Sequence, residues 1–409
     1  MKILDGIRVV EFATHVVIPA AARVMADWGA DVIKVEASGG DQWRVLGRSY
    51  DLPVQDDCNP MYSVINSGKR FVSLDLKKPE GKAVLMRMLE SADVFVTNIR
   101  WAAIERLGLD YDTLHAKFPR LVYMHFNGFG YEGDDKDRPG LDSSAFWAMS
   151  GAMHEFHEPG NRPAPMMPPA FGDTAASGPV LSGVLGGLLW RDRTGEGIRV
   201  TSSLLANGIW CNHNRIVGCQ ERADGSPAPQ FPRRAEDAAS PFSHIYECSD
   251  GEWIATVGSA WFRKNPANVL RAFGLEEYIQ DERYNTYPLT RENSRAVYHM
   301  CVASFKTKSV AEWHEILDKA DIPHQKLEHS CEVSKSEQAW ANGYLTRMEC
   351  PNGQSYVVPN SPVSFFGFEK SNTTHAGAVG SNTTEVLLEY GYTIEEIQNL
   401  RENNAVFGV

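Results

Sequence analysis

Residues 8–36 constrain the chain most. Arg8-Val9-Val10-Glu11-Phe12 has the composition of a short buried strand. Ala20 to Trp28 is an Ala-rich helical stretch with Gly29 in the C-cap position, and Asp31-Val32-Ile33-Lys34-Val35-Glu36 is a second strand. Strand, helix and strand at this spacing make a βαβ opening, and so an α/β fold with parallel strands. A dinucleotide fold would use Glu36 as the ribose acid. The first turn, however, reads Val16-Val17-Ile18-Pro19-Ala20-Ala21 where G-x-G-x-x-G is needed. Without those glycines a pyrophosphate cannot approach the backbone closely, which disfavours a nicotinamide enzyme.

More α/β units follow. Phe71–Leu76, Val94–Val96 and Leu121–Phe126 read as strands, with helical stretches from Lys77 to about Ser91, Ile104 to Leu109 and Tyr111 to Phe118. Ligands gather at the carboxyl ends of strands in such sheets. Asn66 to Arg70, Asn98, Arg100, Arg106 and Asn127 fall at those ends or beside them. Lys69, Arg70, Lys77, Lys78, Arg100 and Arg106 stand out in a chain of formal net charge −12. Each alone is more often a solvated surface residue; together they could rim a phosphorylated ligand. The net charge argues against general nucleic-acid binding. No apolar run is long enough to span a membrane, and Met1 to Gly6 lead directly into fold with no leader pattern. The seven cysteines are scattered, odd in number and free of CxxC, which predicts a reducing cytoplasm, no disulfide framework and a buried structural role for each.

The charged segment Glu132 to Arg138 reads as an exposed loop. Composition shifts at Glu221 to Pro241 as in a linker. Beyond it, the hairpin pattern of residues 243–257 and three helical stretches up to Lys319 predict a second, smaller α+β domain.

The candidate for chemistry is Phe171-Gly172-Asp173-Thr174-Ala175-Ala176-Ser177-Gly178-Pro179. Pro179 suits a helix's first turn, which would place Asp173 at the mouth of a buried helix near its positive end, as a cap or as a functional carboxylate. Gly183, Gly186 and Gly187 imply close approach of another backbone. Other chemistries lack their patterns. His154-Glu155-Phe156-His157 and the loose set Cys211, His213 and Cys219 match no metal-ligand spacing, so no metal is expected. There is no nucleophile elbow after a strand and no Walker A. An isolated carboxylate can attack an acyl group to give a mixed anhydride, given an oxyanion hole and exclusion of water.

Almost the whole chain, in order, resembles the family III CoA-transferases. The resemblance runs from Leu4-Asp5-Gly6-Ile7-Arg8-Val9-Val10-Glu11 and Ala26-Asp27-Trp28-Gly29-Ala30-Asp31 through Gly68-Lys69-Arg70, Pro79-Glu80-Gly81-Lys82, Thr97-Asn98, Leu107-Gly108-Leu109-Asp110-Tyr111 and Gly128-Phe129-Gly130. It closes with Gly172-Asp173, Thr194-Gly195-Glu196-Gly197, Asp321-Ile322-Pro323 and Tyr390-Gly391-Tyr392. It implies an interlocked homodimer with a Rossmann-like large domain built from both chain ends, residues 1–220 and 341–409, and a small α+β domain over 221–340. Asp173 matches the catalytic aspartate, which passes through an aspartyl anhydride and an aspartyl-CoA thioester. Leu74, Asp75, Leu76, Lys77, Asn98, Arg106 and Lys136 match positions that hold CoA. Coenzyme A is then a substrate, as acyl-CoA, beside a small carboxylic acid; no cofactor is permanently bound.

Oxalate-using relatives carry Gln where this chain has Val17, and a run of glycines where it has Val257-Gly258-Ser259-Ala260-Trp261. Val17, Ile18, Gly258 and Ser259 are therefore expected to line a pocket for a larger acyl group, as in the branch acting on 2-hydroxy acids and their enoyl or aryl-acryloyl relatives. The fold also hosts α-methylacyl-CoA racemases, which need a His in the turn before the central helix. That turn reads Pro139-Gly140-Leu141-Asp142; His125 precedes it and His154 lies well beyond. A non-catalytic CoA-binding protein would keep the cationic rim without needing Asp173.

Overall fold

The computed structural model describes residues 2–157, 160, 167–226, 228, 234–237 and 240–409. They form two compact units: Met1–Met153 with Pro165–Val217 and Ser334–Val409, and His154–Ala164 with Gly218–Val333.

The first unit is organised around β1 (Arg8–Phe12), β2 (Asp31–Glu36), β3 (Arg70–Leu74), β4 (Val94–Thr97), β5 (Val122–Asn127) and β6 (Arg199–Ser203). These pair in parallel in the order 3-2-1-4-5-6, the doubly wound arrangement. The crossovers use α1 (Val17–Asp27), α2 (Pro60–Asn66), α3 (Pro79–Leu89), α4 (Trp101–Leu107), α5 (Tyr111–Lys117) and α6 (Phe171–Thr194); α7 (Leu204–Cys211) follows β6. Side chains alternate between the faces. Val9, Val32, Val94 and Met124 join Ile18, Met25, Val180 and Val184 in one core. Val10, Ile33, Phe95 and Tyr123 join Leu85, Met88, Ile104 and Leu114 in the other. Both faces are buried, so the strands read as continuous apolar runs.

The second unit holds an antiparallel sheet of β7 (Ile245–Glu247), β8 (Trp253–Thr256) and β9 (His324–Lys326) over a core that includes Phe242, Tyr246, Phe273, Phe305 and Trp313. In the first unit, β10 (Leu345–Glu349) and β11 (Ser355–Pro359) form a hairpin. Strand β12 (Val406–Phe407) then pairs antiparallel with β3 at the edge of the large sheet.

Four expectations need correction. Helix α6 starts at Phe171, so Asp173 lies inside its first turn and Pro179 lies well within the helix. Gly178 removes the Cβ that would clash with the proline ring, and the exposed Ala175 carbonyl, which loses its helical donor, can turn to water. Nor is the helix buried all round: Phe171, Leu189 and Trp190 are exposed. A Cβ on Gly183 or Gly187 would meet side chains of the sheet, Val200 at 2.7 Å and Val122 at 2.6 Å, while Gly186 faces open space. So the small residues admit β-branched side chains, not a second backbone. Finally, Cys58 and Cys350 form a disulfide with Cα atoms 5.1 Å apart, and Cys211, Cys219 and Cys331 are exposed. Spacing could not show that pair, because it joins segments far apart in sequence. No helix among the described residues is long and apolar enough to cross a membrane.

Candidate active site

Asp173 owes its environment to a second carboxylate. The residue before α6, Ala170, is in the left-handed region (φ 60°) and has no side chain that can cap the helix. Asp142, at the start of a π-helical segment (Asp142–Met149), supplies the cap from outside: its Oδ1 accepts the Asp173 backbone N–H at 3.1 Å. Gly172 makes this possible, because a Cβ there would collide with Asp142 Oδ1 and the Phe146 ring. Burial pushes the Asp173 carboxyl up to about 7, with the Asp142 charge adding to the effect. Burial also raises Asp142, against the hydrogen bonds it accepts. Two carboxylates in one partly dry place cannot both ionise freely. Among the described residues, no side chain donates a hydrogen bond to the Asp173 oxygens. The carboxylate is therefore partly desolvated, and once deprotonated it is a better nucleophile than a fully hydrated one.

The turn between β1 and α1 lies at the carboxyl edge of the sheet, where the strand order reverses between β1 and β4. Asn98, just past β4, holds it with a reciprocal pair: Asn98 Nδ2 donates to Thr14 O at 2.7 Å, and Thr14 N–H donates to Asn98 Oδ1 at 3.0 Å. Asp41 accepts the His15 N–H at 3.0 Å, and Lys34 Nζ reaches Ala13 O at 2.9 Å. Behind the turn, Lys34 pairs with Glu11 (2.7 Å) and Asp41 (3.0 Å), and Lys69 pairs with Glu11 (2.7 Å), all fully withdrawn from water. Burial lowers the Lys69 ammonium to about 8, and the Glu11 carboxylate opposes that shift. Each buried charge here has a hydrogen-bonded counter-ion, which is what makes the burial tolerable. Helix α1 packs along α6, and Val16, Ala20, Ile65 and Ala170 share a small apolar cluster. The first turns of the two helices are thus neighbours.

The other expected residues are dispersed over both units. Leu74 and Leu76 are buried, so any contact they offer a ligand is through the backbone. Asp75 closes a turn by accepting the Lys77 N–H at 3.0 Å, while its own N–H donates to Ala405 O at 2.9 Å. Lys77, Arg106 on α4 and Lys136 after β5 are exposed. Asn98 is committed to Thr14 on both sides of its amide, so the turn is its first partner. Gly258 and Ser259 lie in the second unit, where Gly258 N–H donates to Phe242 O at 2.6 Å and Ser259 Oγ contacts Ser243 and Ser240.

Two of the six cations are not rim residues. Lys69 belongs to the Glu11 network, and Arg70 bridges Asp31 (2.7 Å) and Glu389 (2.8 Å). Glu36 is held by Arg44 and by Tyr62 Oη at 2.9 Å, so it is not a ribose acid. His125 is bonded to Tyr131 and to Ile99 O, and burial lowers it to about 4. A neutral imidazole with both nitrogens engaged is a poor acid–base group. Sequence reading missed Asp41 and Glu11 as supports of the turn; the signal it offered was a charged residue inside each of the first two strands.

A doubly wound sheet with a partly desolvated carboxylate in the first turn of a helix, near its topological switch point, is an arrangement common among α/β enzymes. The model of CoA-transferase family III matches residues 4–383, and the chain belongs to that family of enzymes. It is 33% identical over 404 residues to a protein named (R)-2-hydroxy-4-methylpentanoate CoA-transferase from Clostridioides difficile, covering 99% of each chain. It is 33% identical over 406 residues to one named cinnamoyl-CoA:phenyllactate CoA-transferase from Clostridium sporogenes, covering 99% of this chain and 97% of the relative. The fold matches a CAIB/BAIF family protein from Brucella suis with a TM-score of 0.79, at 24% identity, over 95% of this chain and 99% of the other.

Proposed function

We propose that the protein moves CoA from an acyl-CoA thioester to a free carboxylic acid through covalent intermediates on Asp173. The carboxylate attacks the thioester carbonyl, the C–S bond breaks, and CoA leaves as a thiolate with an acyl-aspartyl anhydride behind it. The thiolate then attacks the Asp173 carbonyl, releasing the donor acid and leaving an aspartyl-CoA thioester. The acceptor carboxylate displaces the thiolate to form a new anhydride. The thiolate finally takes the acceptor acyl group and frees Asp173. The observation that carries this reading is the Asp173 carboxyl itself: in the first turn of α6, dried by burial and held near 7 beside Asp142. Water that would hydrolyse an anhydride is best excluded from such a place.

Exposed Lys77, Arg106 and Lys136 are suited to the CoA phosphates, and the Leu74–Lys77 backbone and Asn98 to its polar body. Buried, apolar Val17 and Ile18 favour a 2-hydroxy acid or its enoyl or aryl-acryloyl relative, the class named in the two relatives. The reading includes a cytoplasmic, interlocked homodimer with a small domain over 221–340. The exposed Phe171, Leu189, Trp190 and Trp210 in the first unit favour burial against a second copy.

Intact-mass measurement after mixing with acyl-CoAs and hydroxylamine, followed by peptide mapping, tests the chemistry. A hydroxamate on Asp173 is expected. Normal acyl-CoA binding with Asp173 unmodified by every thioester would remove the mechanism and bring the racemase and binding-protein readings forward.

A further inference from the structure

The Cys58–Cys350 disulfide joins segments 292 residues apart, both within the first unit. Cys58 precedes α2, and Cys350 follows β10 in the turn of the hairpin. Both side chains are buried in an apolar cluster with Met348 and Val358. Such a site accepts two thiols as well as a disulfide, because a free cysteine packs as a small hydrophobe. The other five cysteines are free, and Cys211, Cys219 and Cys331 are exposed. Exposed thiols suit reducing surroundings, where a disulfide is more often a redox sensor than a permanent staple. The bond also reaches the candidate site through polar contacts. Asn59, next to Cys58, accepts the Tyr62 N–H at the head of α2 and donates Nδ2 to Arg44 O at 2.7 Å. The Arg44 guanidinium holds Glu36, Glu36 accepts the Asp41 N–H at 3.1 Å, and Asp41 accepts the His15 N–H in the β1–α1 turn at 3.0 Å.

We propose that Cys58 and Cys350 are a reversible redox pair that sets how firmly the β1–α1 turn is held. A dithiol reduces it in two exchanges. One thiolate attacks the sulfur of Cys350, the less deeply buried of the two, and the S–S bond breaks. Cys58 leaves as a thiolate and takes up a proton. The second thiolate of the reductant then displaces Cys350, which is protonated in turn, and the dithiol ends as its cyclic disulfide. Two electrons and two protons pass to the protein, and exchange with oxidised glutathione returns them. Reduction releases the hairpin from the segment that carries Asn59, and so loosens the first link of the relay to His15. The consequence for CoA rests on the functional reading above; the thiol exchange does not.

The test uses the full chain with Cys211→Ser, Cys219→Ser and Cys331→Ser, so that only buried thiols respond. It is treated with oxidised glutathione or with dithiothreitol, and thiols are counted by maleimide mass labelling in denaturant. Two thiols are expected after oxidation and four after reduction. The oxidised form should melt at a higher temperature, because the bond closes a long loop, and Cys350→Ser should melt like the reduced form in either buffer. Calorimetric affinity for CoA should be about fivefold weaker after reduction, as when the binding-competent turn falls to about a fifth of the population. Asn59→Ala should weaken the oxidised form by a similar factor with its disulfide intact, and reduction should then add little. By reciprocity, bound CoA should shift the exchange equilibrium towards the disulfide by the same factor. Four thiols after oxidation, equal melting of the two forms, or a CoA affinity indifferent to reduction would each overturn the proposal. A missing hydroxamate on Asp173 in both forms would remove the transferase reading instead, and would leave the thiol count, the melting difference and the CoA affinities standing.

Discussion

The Oδ1 of Asp142 caps the helix that carries Asp173, 3.1 Å from the Asp173 backbone nitrogen. One residue thereby does two opposed things. It fixes the turn through a hydrogen bond and raises the pKa of its neighbour through its charge.

Asp142→Asn separates these effects, because the amide oxygen can still accept the N–H. A carboxylate nucleophile works only when deprotonated, so acyl transfer should rise with pH through about 7 in the wild type. In the variant this limb should move to lower pH, by only part of the shift, since burial is the larger cause. Single-turnover rates between about pH 5 and 9 would show it. A limb that stays put or moves to higher pH would mean that the Asp142 charge is not felt at Asp173.

Asp173→Asn should abolish hydroxamate formation and stabilise the fold. The folded carboxyl sits at about 7 against an ordinary 3.8, so above pH 7 the protein keeps a charge that the unfolded chain holds more cheaply. The gain should be on the order of 1–2 kcal/mol above pH 7, after allowance for partial exposure, and should fade towards pH 4 as both states become protonated. Urea unfolding at several pH values measures this. Equal stability at all pH would contradict the desolvation account.

Glu11→Gln strips Lys69 of its carboxylate partner while Lys34 keeps Asp41. A loss of about 3–5 kcal/mol is expected near neutral pH. The deficit should shrink as pH rises towards 10, because Lys69, already lowered to about 8, can then shed its proton at less cost. Because the same network holds Ala13 and His15, kcat should fall even where the variant stays folded. Denaturant melts and kinetics at pH 7 and 9 would check both parts.

Arg106→Ala and Lys136→Ala should each raise KM for acyl-CoA by about tenfold, with little change in kcat, as expected for lost phosphate contacts remote from the reacting carbonyl. The effect should largely disappear with a truncated pantetheine thioester as donor. An equal penalty with the truncated donor would assign these exposed side chains to something other than the phosphates.

Much of the fold was legible because parallel strands buried on two faces leave continuous apolar runs; Val9-Val10 and Val32-Ile33 are the clearest. Asp173 could be found as a lone carboxylate among small residues before an apolar helix. Its setting could not, because helix caps are sought in adjacent sequence and Asp142 comes from another segment. Pro179 misplaced the start of α6, since a proline inside a helix is normally excluded and here is tolerated by Gly178 and an exposed carbonyl. Lys69 and Arg70 looked like surface charge because composition shows a charge and hides its partner. The Cys58–Cys350 disulfide is invisible for a similar reason: its halves meet only after the β10–β11 hairpin has been placed.

The edge strand β12 also has a bearing on biosynthesis. Ala405 accepts the Asp75 N–H, and β12 completes the ladder beside β3, so the turn from Leu74 to Lys77 is finished by residues that leave the ribosome long after it. A nascent chain can assemble β1 to β6 and still present that turn unsealed. If that turn holds CoA as proposed, a variant cut before Ala405 should lose the acceptor of the Asp75 N–H and, with it, acyl-CoA affinity at a turn more than three hundred residues earlier.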